Sequence, residues 1–214
     1  MINKKRVHRL MRLLGIQSVA PKPNTSVPGR DTKKFPYMLK GVCIYKPNQV
    51  WAIDITHIRL PTGMVYLFAL IDWHSRYIVG WTLANTMCAD HALYTLEKAL
   101  KYGTPEICNA DQGSQFTSDD WIEMLTLHGI KISHDGVGRC IDNIRIERFW
   151  RTLKYEDVHI QDYANVTEAR LGIAEFIAYY NNERPHQALQ YNRPRNVYFG
   201  HRRHRVLLAT TAAA

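Results

Sequence analysis

The sequence has few of the features of secreted or membrane proteins. Its four cysteines lie far apart and form no C-x-x-C pair: Cys43, Cys88, Cys108 and Cys140. This spacing argues against a disulfide framework or a zinc ribbon and favours reduced thiols. No apolar run is long enough to span a membrane, and the N-terminus leads into no long apolar block. We therefore expect a cytoplasmic protein that has no secretory signal and no membrane contact.

The remaining composition is that of an ordinary globular protein. The chain has 214 residues, of which 46% are hydrophobic and 22% are charged. This length is enough for one core of normal size and a small appendage, and the composition excludes collagen-like and wholly disordered chains. We expect a basic helix and a proline-rich arm over residues 1–49, a folded core over 50–200 and a basic tail over 201–214.

The charge is distributed unevenly along the chain. Residues 1–40 carry a net charge of +9, residues 41–190 carry −5, and residues 191–214 carry +5. Two basic ends flanking an acidic body indicate a polyanionic partner, most simply nucleic acid. Carboxylates clustered to bind cations would explain the acidic body. The alternative is that the basic ends serve only solubility.

The N-terminal residues 4–15 predict a short basic helix. Val7, Leu10, Met11 and Leu14 follow the spacing of one apolar helix face. Basic residues that could contact DNA occupy the same segment: Lys4, Lys5, Arg6, Arg9 and Arg12. Because one amphipathic helix cannot bury its apolar face alone, we expect it to pack on a partner or to belong to a longer helical module.

The core predicts an α/β fold with a mixed sheet and helices on its faces. Three strands joined by tight connections, starting at Val50, indicate an antiparallel meander. Two short strands follow, at 107–110 and 131–134, and helices alternate with them. Asp90 is expected to cap the first core helix and Ser118 the second. A third helix is expected over 141–156, and a last long helix from Thr167 to about Asn182.

Three acidic residues stand out by their placement. Asp54 lies between Ile53 and Ile55 within the first strand, where a carboxylate is costly unless it is paired, hydrogen-bonded or bound to metal. Asp111 follows the fourth strand. Glu147 lies on the third helix, on a stripe beside the core stripe: Asn143, Glu147, Arg151 and Lys154.

These acids and their surroundings resemble the D,D,E transposases and retroviral integrases. Thirty-five residues separate Asp111 from Glu147. The resemblance rests on four segments in order: WAIDIT at 51–56, DQGSQFTS at 111–118, Asp142–Asn143 before Glu147 with FWRTLK at 149–154, and YNNERPHQAL at 180–189. They are similar to bacterial insertion-sequence transposases that are encoded in two overlapping reading frames, of which this chain would be the downstream product.

The resemblance implies a ribonuclease H-like core over 50–200, with Asp54, Asp111 and Glu147 as catalytic residues and metal ligands. It implies two Mg²⁺ ions, with Mn²⁺ as a substitute, and a reaction that cleaves DNA and joins strands. Arg151, Lys154 and Asn143 would contact DNA near the reaction, and residues 1–49 would keep part of a helix-turn-helix module. The implied partners are transposon-end and target DNA, further copies of the chain and an upstream-frame helix-turn-helix protein, on the nucleoid.

Each assignment has an alternative on the sequence alone. Asp54 could be a solvated acid of an edge strand, Asp111 a turn residue before Gly113, and Glu147 the partner of Arg151 in an ordinary surface ion pair. Two rival functions also stay open. One is a nuclease of the same fold that does not join strands, and the other is a truncated or inactive DNA-binding product.

Overall fold

A computed structural model describes residues 3–16, 35–135 and 143–200. The chain divides into two units, residues 1–32 and residues 33–214. In the first unit, helix α1 spans Lys4–Leu13, and the Asn3 side chain caps it by accepting a hydrogen bond from the Lys5 amide. None of the α1 residues is buried. The predicted basic helix is thus confirmed, whereas the basic tail 201–214 and much of the proline-rich arm lie outside the described residues.

The second unit contains a five-stranded mixed sheet. Its strands are β1 Val50–Leu60, β2 Gly63–Asp72, β3 Ile78–Ala84, β4 Ile107–Ala110 and β5 Lys131–His134. The spatial order is β3-β2-β1-β4-β5. Strands β1, β2 and β3 pair antiparallel, while β4 pairs parallel with both β1 and β5. The predicted meander with two added strands is confirmed.

Helices cover both faces of this sheet. They are α2 Ala89–Leu100, α3 Asp119–Leu127, α4 Ile144–Leu153, α5 His159–Gln161, α6 Val166–Asn182 and α7 Pro194–Phe199. Apolar residues of α4 and α6 pack on one face, and those of α2 and α3 pack on the other. Strand β2 is buried along most of its length because it is covered on both sides, which explains its nearly continuous apolar sequence. Within the described residues no helix is long and apolar enough to cross a bilayer.

Two details differ from the sequence-based expectation. Helix α2 starts after Cys88, so the prediction that Asp90 caps it is wrong. Asp90 lies in the first turn instead, where its negative charge favours the helix amino end. Helix α4 ends at Leu153 and continues as a π-helical turn, Lys154–Val158, rather than as an α-helix to residue 156. The predicted cap at Ser118 is confirmed, since its hydroxyl accepts from the Trp121 amide.

Helix α6 is fastened to the sheet by one buried amide side chain. Asn181 accepts a hydrogen bond from the Ile78 amide at 2.9 Å and donates one to the Ile78 carbonyl at 3.0 Å. Asn181 is buried. Because Ile78 begins strand β3, this pair of bonds joins the end of α6 to the edge strand and satisfies both backbone groups at once.

We expect Asn181→Ala to lower the free energy of unfolding by about 2–3 kcal/mol, since it leaves two buried backbone groups of Ile78 unpaired. Urea denaturation measures this loss. The matched control is Asn182→Ala on the same helix, whose amide donates to the exposed Ala178 carbonyl and should cost less than about 1 kcal/mol. Equal losses in the two variants would contradict the clamping role of Asn181.

Candidate active site

The first candidate catalytic residue, Asp54, lies in the middle of the central strand β1. It points to the face on which α4 packs, and its Oδ2 accepts a hydrogen bond from the indole Nε1 of Trp150 at 2.8 Å. Trp150 belongs to α4 and is only 7% exposed. The carboxylate is therefore held between strand and helix, and it is not a freely solvated edge acid.

Asp111 follows β4, the parallel neighbour of β1. Because Ala52 pairs with Asn109, Asp111 lies level with Asp54 along the sheet. Its Oδ1 accepts a hydrogen bond from the Gly113 amide at 2.9 Å. A Cβ atom at position 113 would come within 2.8 Å of that same oxygen. Glycine at this position thus allows the turn to close around the carboxylate and orient it.

Glu147 occupies the first turn of α4 and is exposed. Its helix faces the sheet through a core stripe: Ile146, Phe149, Trp150 and Leu153. Because that stripe fixes the rotation of α4, Glu147 projects from the flank next to the core stripe. The same packing that anchors α4 therefore determines where the third carboxylate stands.

The three carboxylates share one electrostatic environment. Burial raises the pKa of the Asp54 carboxyl, hydrogen bonds from Trp150 and the Ile55 backbone lower it, and the charges of Asp111 and Glu147 raise it, to a net value of about 6. Both other acids are thus close enough to act on Asp54. Within the described residues, however, no three Asp, Glu, His or Cys side chains are close enough to enclose one ion together.

The donor chemistry of these acids fits hard divalent cations. Mg²⁺ prefers carboxylate and water oxygens and keeps several of its waters, so it needs only one or two carboxylates from the protein. The charges of Asp111 and Glu147 both act on Asp54, and the three acids supply only oxygen donors. Cations would also relieve the repulsion that the neighbouring charges exert on Asp54.

Basic residues continue from Glu147 along α4. Arg151 is exposed one turn further on. Lys154, at the start of the π-helical turn, lines a groove of about 620 Å³ together with His57, Arg59 and His159. The predicted DNA-contacting residues Arg151 and Lys154 therefore lie on one flank of the helix, next to a groove with further basic side chains.

The other predicted DNA contacts have different settings. Asn143 precedes α4 and is 6% exposed, and its Oδ1 has no hydrogen-bond partner among the described residues. The basic residues of α1 are all exposed: Lys4, Lys5, Arg6, Arg9 and Arg12. They belong to the N-terminal unit, which is described by itself. DNA contact by these residues stays a prediction.

Comparison with known proteins assigns the family. Two family models described as integrase core domains match residues 44–140 and 128–194. The first range includes Asp54 and Asp111, and the second includes Glu147. A transposase of insertion sequence element IS904 from Lactococcus lactis is 32% identical over 212 residues, which cover 92% of this chain and 80% of the relative. The chain belongs to the insertion-sequence transposases with a retroviral-type integrase core.

Further relatives support this family and its fold. The InsK transposase of IS150 from Escherichia coli is 29% identical over 86% of this chain, which spans only 66% of the InsK length. The catalytic core of HTLV-2 integrase, solved in complex with magnesium, superposes with a TM-score of 0.60 at 19% identity and covers 71% of this chain and 97% of that one. The predicted ribonuclease H-like fold is confirmed.

One residue of the candidate site was not identified from the sequence. Trp150 lies in the core stripe of α4, and its indole also donates a hydrogen bond to Asp54. A signal was present, because a buried indole N–H usually finds a partner. The sequence could not say which acceptor it reaches, since 96 positions separate the two residues.

We expect Asp54→Asn to stabilise the metal-free protein by roughly 1–3 kcal/mol at about pH 7.5. The folded protein keeps the Asp54 proton up to its pKa of about 6, while the ordinary value is 3.8. Between these values the wild type loses stability as the pH rises, and the whole cost is present above pH 6. Asparagine carries no charge and keeps an oxygen for Trp150.

Urea denaturation in EDTA at about pH 4 and pH 7.5 tests this expectation. The advantage of the variant should be largest at the higher pH and should nearly vanish at the lower one, where Asp54 is protonated in the folded wild type. An equal gain at both pH values would show that desolvation of the Asp54 charge is not its source.

We expect Trp150→Phe to weaken Mn²⁺ binding about 10- to 100-fold, the usual cost of losing a residue that orients a metal ligand. Phenylalanine keeps most of the packing but cannot donate to Asp54. Titration calorimetry with MnCl₂ measures the affinity without catalysis. The control is Trp121→Phe, because the buried Trp121 Nε1 has no hydrogen-bond partner within the described residues. Equal affinities of the two variants would contradict a positioning role for Trp150.

Proposed function

We propose that this protein catalyses DNA transposition by cutting DNA at the ends of a mobile element and joining them to a target. One observation carries the proposal: in a chain of the transposase family, Asp54 of the central strand β1 is close enough to Asp111, which follows β4, and to Glu147 on α4 for both charges to act on it. The catalytic residues proposed are Asp54, Asp111 and Glu147.

The same three residues would hold two Mg²⁺ ions, with Mn²⁺ as a substitute. Asp54 would contribute to both ions, Asp111 to one and Glu147 to the other. When bound, such ions supply Lewis-acid stabilisation of the attacking and leaving oxygens in phosphoryl transfer. Trp150 keeps the Asp54 carboxylate oriented, and the turn at Gly113 does the same for Asp111.

The reaction proposed has two phosphoryl transfers. In the first, water attacks a phosphodiester at the element end, the P–O bond to the 3′ oxygen breaks, and a free 3′-OH results. In the second, this 3′-OH attacks a target phosphodiester, so that one P–O bond forms and another breaks. The number of phosphodiester bonds is conserved in the second step, and no covalent enzyme intermediate is required.

Basic residues beside the acids would hold the DNA. Arg151 and Lys154 extend from the flank of Glu147, so their charges can contact phosphates near the reacting bond. Asn143 precedes the same helix. The basic residues of α1 would add further DNA contacts: Lys4, Lys5, Arg6, Arg9 and Arg12. Basic groups at these places also offset the repulsion between an acidic site and a phosphate.

The proposed partners are transposon-end DNA, target DNA and further copies of the chain. An intasome of simian T-cell lymphotropic virus includes a chain with the same fold, at a TM-score of 0.64 and 18% identity. A helix-turn-helix protein from the upstream reading frame is proposed as a further partner, as the resemblance to transposases encoded in two overlapping reading frames implies. Action on chromosomal DNA would place the protein in the cytoplasm, on the nucleoid.

We expect Asp54→Asn, Asp111→Asn and Glu147→Gln each to lower Mg²⁺-dependent DNA cleavage at least about 10²-fold, because even outer-shell partners of metal ligands cost 10–100-fold. Incubation with duplexes that carry an element end measures cleavage. The control is Glu97→Gln, an exposed acid on α2 that should retain full activity. Unimpaired cleavage by the three variants would contradict the proposed site.

A second substrate separates transposase from nuclease. With an end already cut to expose its 3′-OH, a transposase joins that end to a target duplex, whereas a nuclease of the same fold only degrades DNA. We expect the wild-type protein to form joined products, with the upstream-frame protein added where it is required. Cleavage without joining would favour the nuclease, and DNA binding without either reaction would favour an inactive DNA-binding product.

A further inference from the structure

Three arginines lie close together beside the start of α4. Arg145 and Arg148 lie on α4, and Arg76 lies in the turn between β2 and β3. The Arg145 guanidinium lies over the ring of Trp73, three residues before Arg76, and Arg148 neighbours Arg145 at the i+3 position of the helix. In agreement with this placement, burial lowers the pKa of Arg76 most, and the charges of Arg145 and Arg148 lower it further. Residues two positions apart are about 200° apart around an α-helix, so Arg145 and Glu147 project from opposite flanks.

No carboxylate forms a salt bridge with these arginines within the described residues. The two salt bridges found there are Lys46–Glu106 and Arg184–Glu156. The charge of Asp72 acts on Arg76, but the Asp72 carboxylate oxygens are occupied by other hydrogen bonds. Its Oδ1 accepts from the amide and hydroxyl of Ser75, and its Oδ2 accepts from the Asn48 amide.

The contrast with Arg184 shows what a structural arginine does in the same region. Arg184 donates two hydrogen bonds to Glu156, at 2.9 and 2.6 Å, so the charges of the two residues neutralise each other. By comparison, Arg145 is half-buried and its Nε atom is fully enclosed without a hydrogen-bond partner. Partly buried positive charges that lie close together destabilise a fold. If the three arginines served stability alone, we would expect a carboxylate beside them.

Contacts within the fold hold part of this cluster in place. The Arg145 guanidinium lies over the Trp73 ring, 4.3 Å from its centroid. The backbone of Arg76 is fixed by the turn, where its amide donates to the Asp72 carbonyl at 2.9 Å and its φ of +64° is unusual for a residue with a side chain. Arg76 and Arg145 are half-buried, and Arg148 is exposed. Such orientation suits the planar fork that guanidinium groups offer to phosphate oxygens.

We propose that Arg76, Arg145 and Arg148 form a binding site for a DNA backbone phosphate, separate from the catalytic carboxylates. The proposal rests on the proposed function, which supplies DNA as the polyanion. The half-buried guanidinium groups of Arg76 and Arg145 would contact the phosphate from the protein side, and Arg148 would contact it from the solvent side. The site is a phosphate contact and carries no information about base sequence.

The test measures DNA binding in an Asp54→Asn background, where cleavage does not interfere. Binding of an arbitrary-sequence 40-bp duplex, labelled with fluorescein, is titrated at several NaCl concentrations. We expect Arg148→Gln to reduce the slope of log Kd against log salt by about 1, because one phosphate contact is lost. Arg148→Lys should keep the slope. The control is Lys131→Gln, an exposed basic residue on the edge strand β5, and it should leave the slope unchanged.

An unchanged slope in Arg148→Gln, with unchanged thermal stability, would overturn the proposal. So would a reduction of equal size in Lys131→Gln, because the effect would then be one of overall charge. The double variant Arg76→Gln/Arg148→Gln should reduce the slope further. Since none of these measurements uses cleavage, an inactive wild-type enzyme would contradict the proposed reaction alone, and an unchanged slope would contradict the phosphate site alone.

Discussion

The site depends on a carboxylate held in the central strand where its charge is costly. Asp54 follows the buried Ile53 in β1 and feels the charges of two other acids, and its pKa of about 6 records that cost. The indole of Trp150 offsets part of it. Divalent cations would offset the remainder, because they attract the same charges that otherwise repel one another. The strain at Asp54 is therefore the physical basis for expecting metal ions at this position.

Helix α4 connects this constraint to the other surfaces of the molecule. Its core stripe packs on the sheet and delivers Trp150 to Asp54, and the adjacent flank carries Glu147, Arg151 and Lys154. Arg145 projects from the opposite flank, and Arg148 lies on the exposed side between Arg145 and Arg151. Because the buried stripe fixes the rotation of the helix, the two flanks cannot adjust independently. A change in the packing of α4 would displace acids and arginines together.

The sequence predicted the parts of the fold and site that depend on local pattern. The strands, the basic helix and the family's acidic motifs follow from periodicity and spacing, and family membership follows from the same segments. Long-range partners were not predictable. The bond from Trp150 to Asp54 spans 96 positions, and the approach of Arg76 to α4 depends on how the β2–β3 turn packs.

Local competition between interactions explains the smaller errors. At the start of α2, Cys88 lies just before the helix and Asp90 lies in its first turn. The sequence alone favours Asp90 as the cap, because aspartate is the better capping residue. The backbone instead starts the helix after Cys88, so the Asp90 carboxylate acts on the helix dipole from within the first turn. At the end of α4, the π-helical turn contains one more residue than an ordinary helical turn. The spacing of apolar residues in this segment does not predict such an insertion.

The two flanks of α4 also constrain how DNA could lie on the protein. With its side chains an α-helix is about 10–12 Å wide, and Arg145 and Glu147 project from opposite sides of α4, so these two cannot contact the same phosphate. A strand reacting beside Glu147 would meet Arg151 and Lys154, whereas a phosphate at Arg76 and Arg145 would belong to a different part of the bound DNA or to a second duplex. Arg148 lies three residues before Arg151 and would connect the two regions. If both proposed contacts form, one rigid helix would hold two DNA segments at a fixed separation.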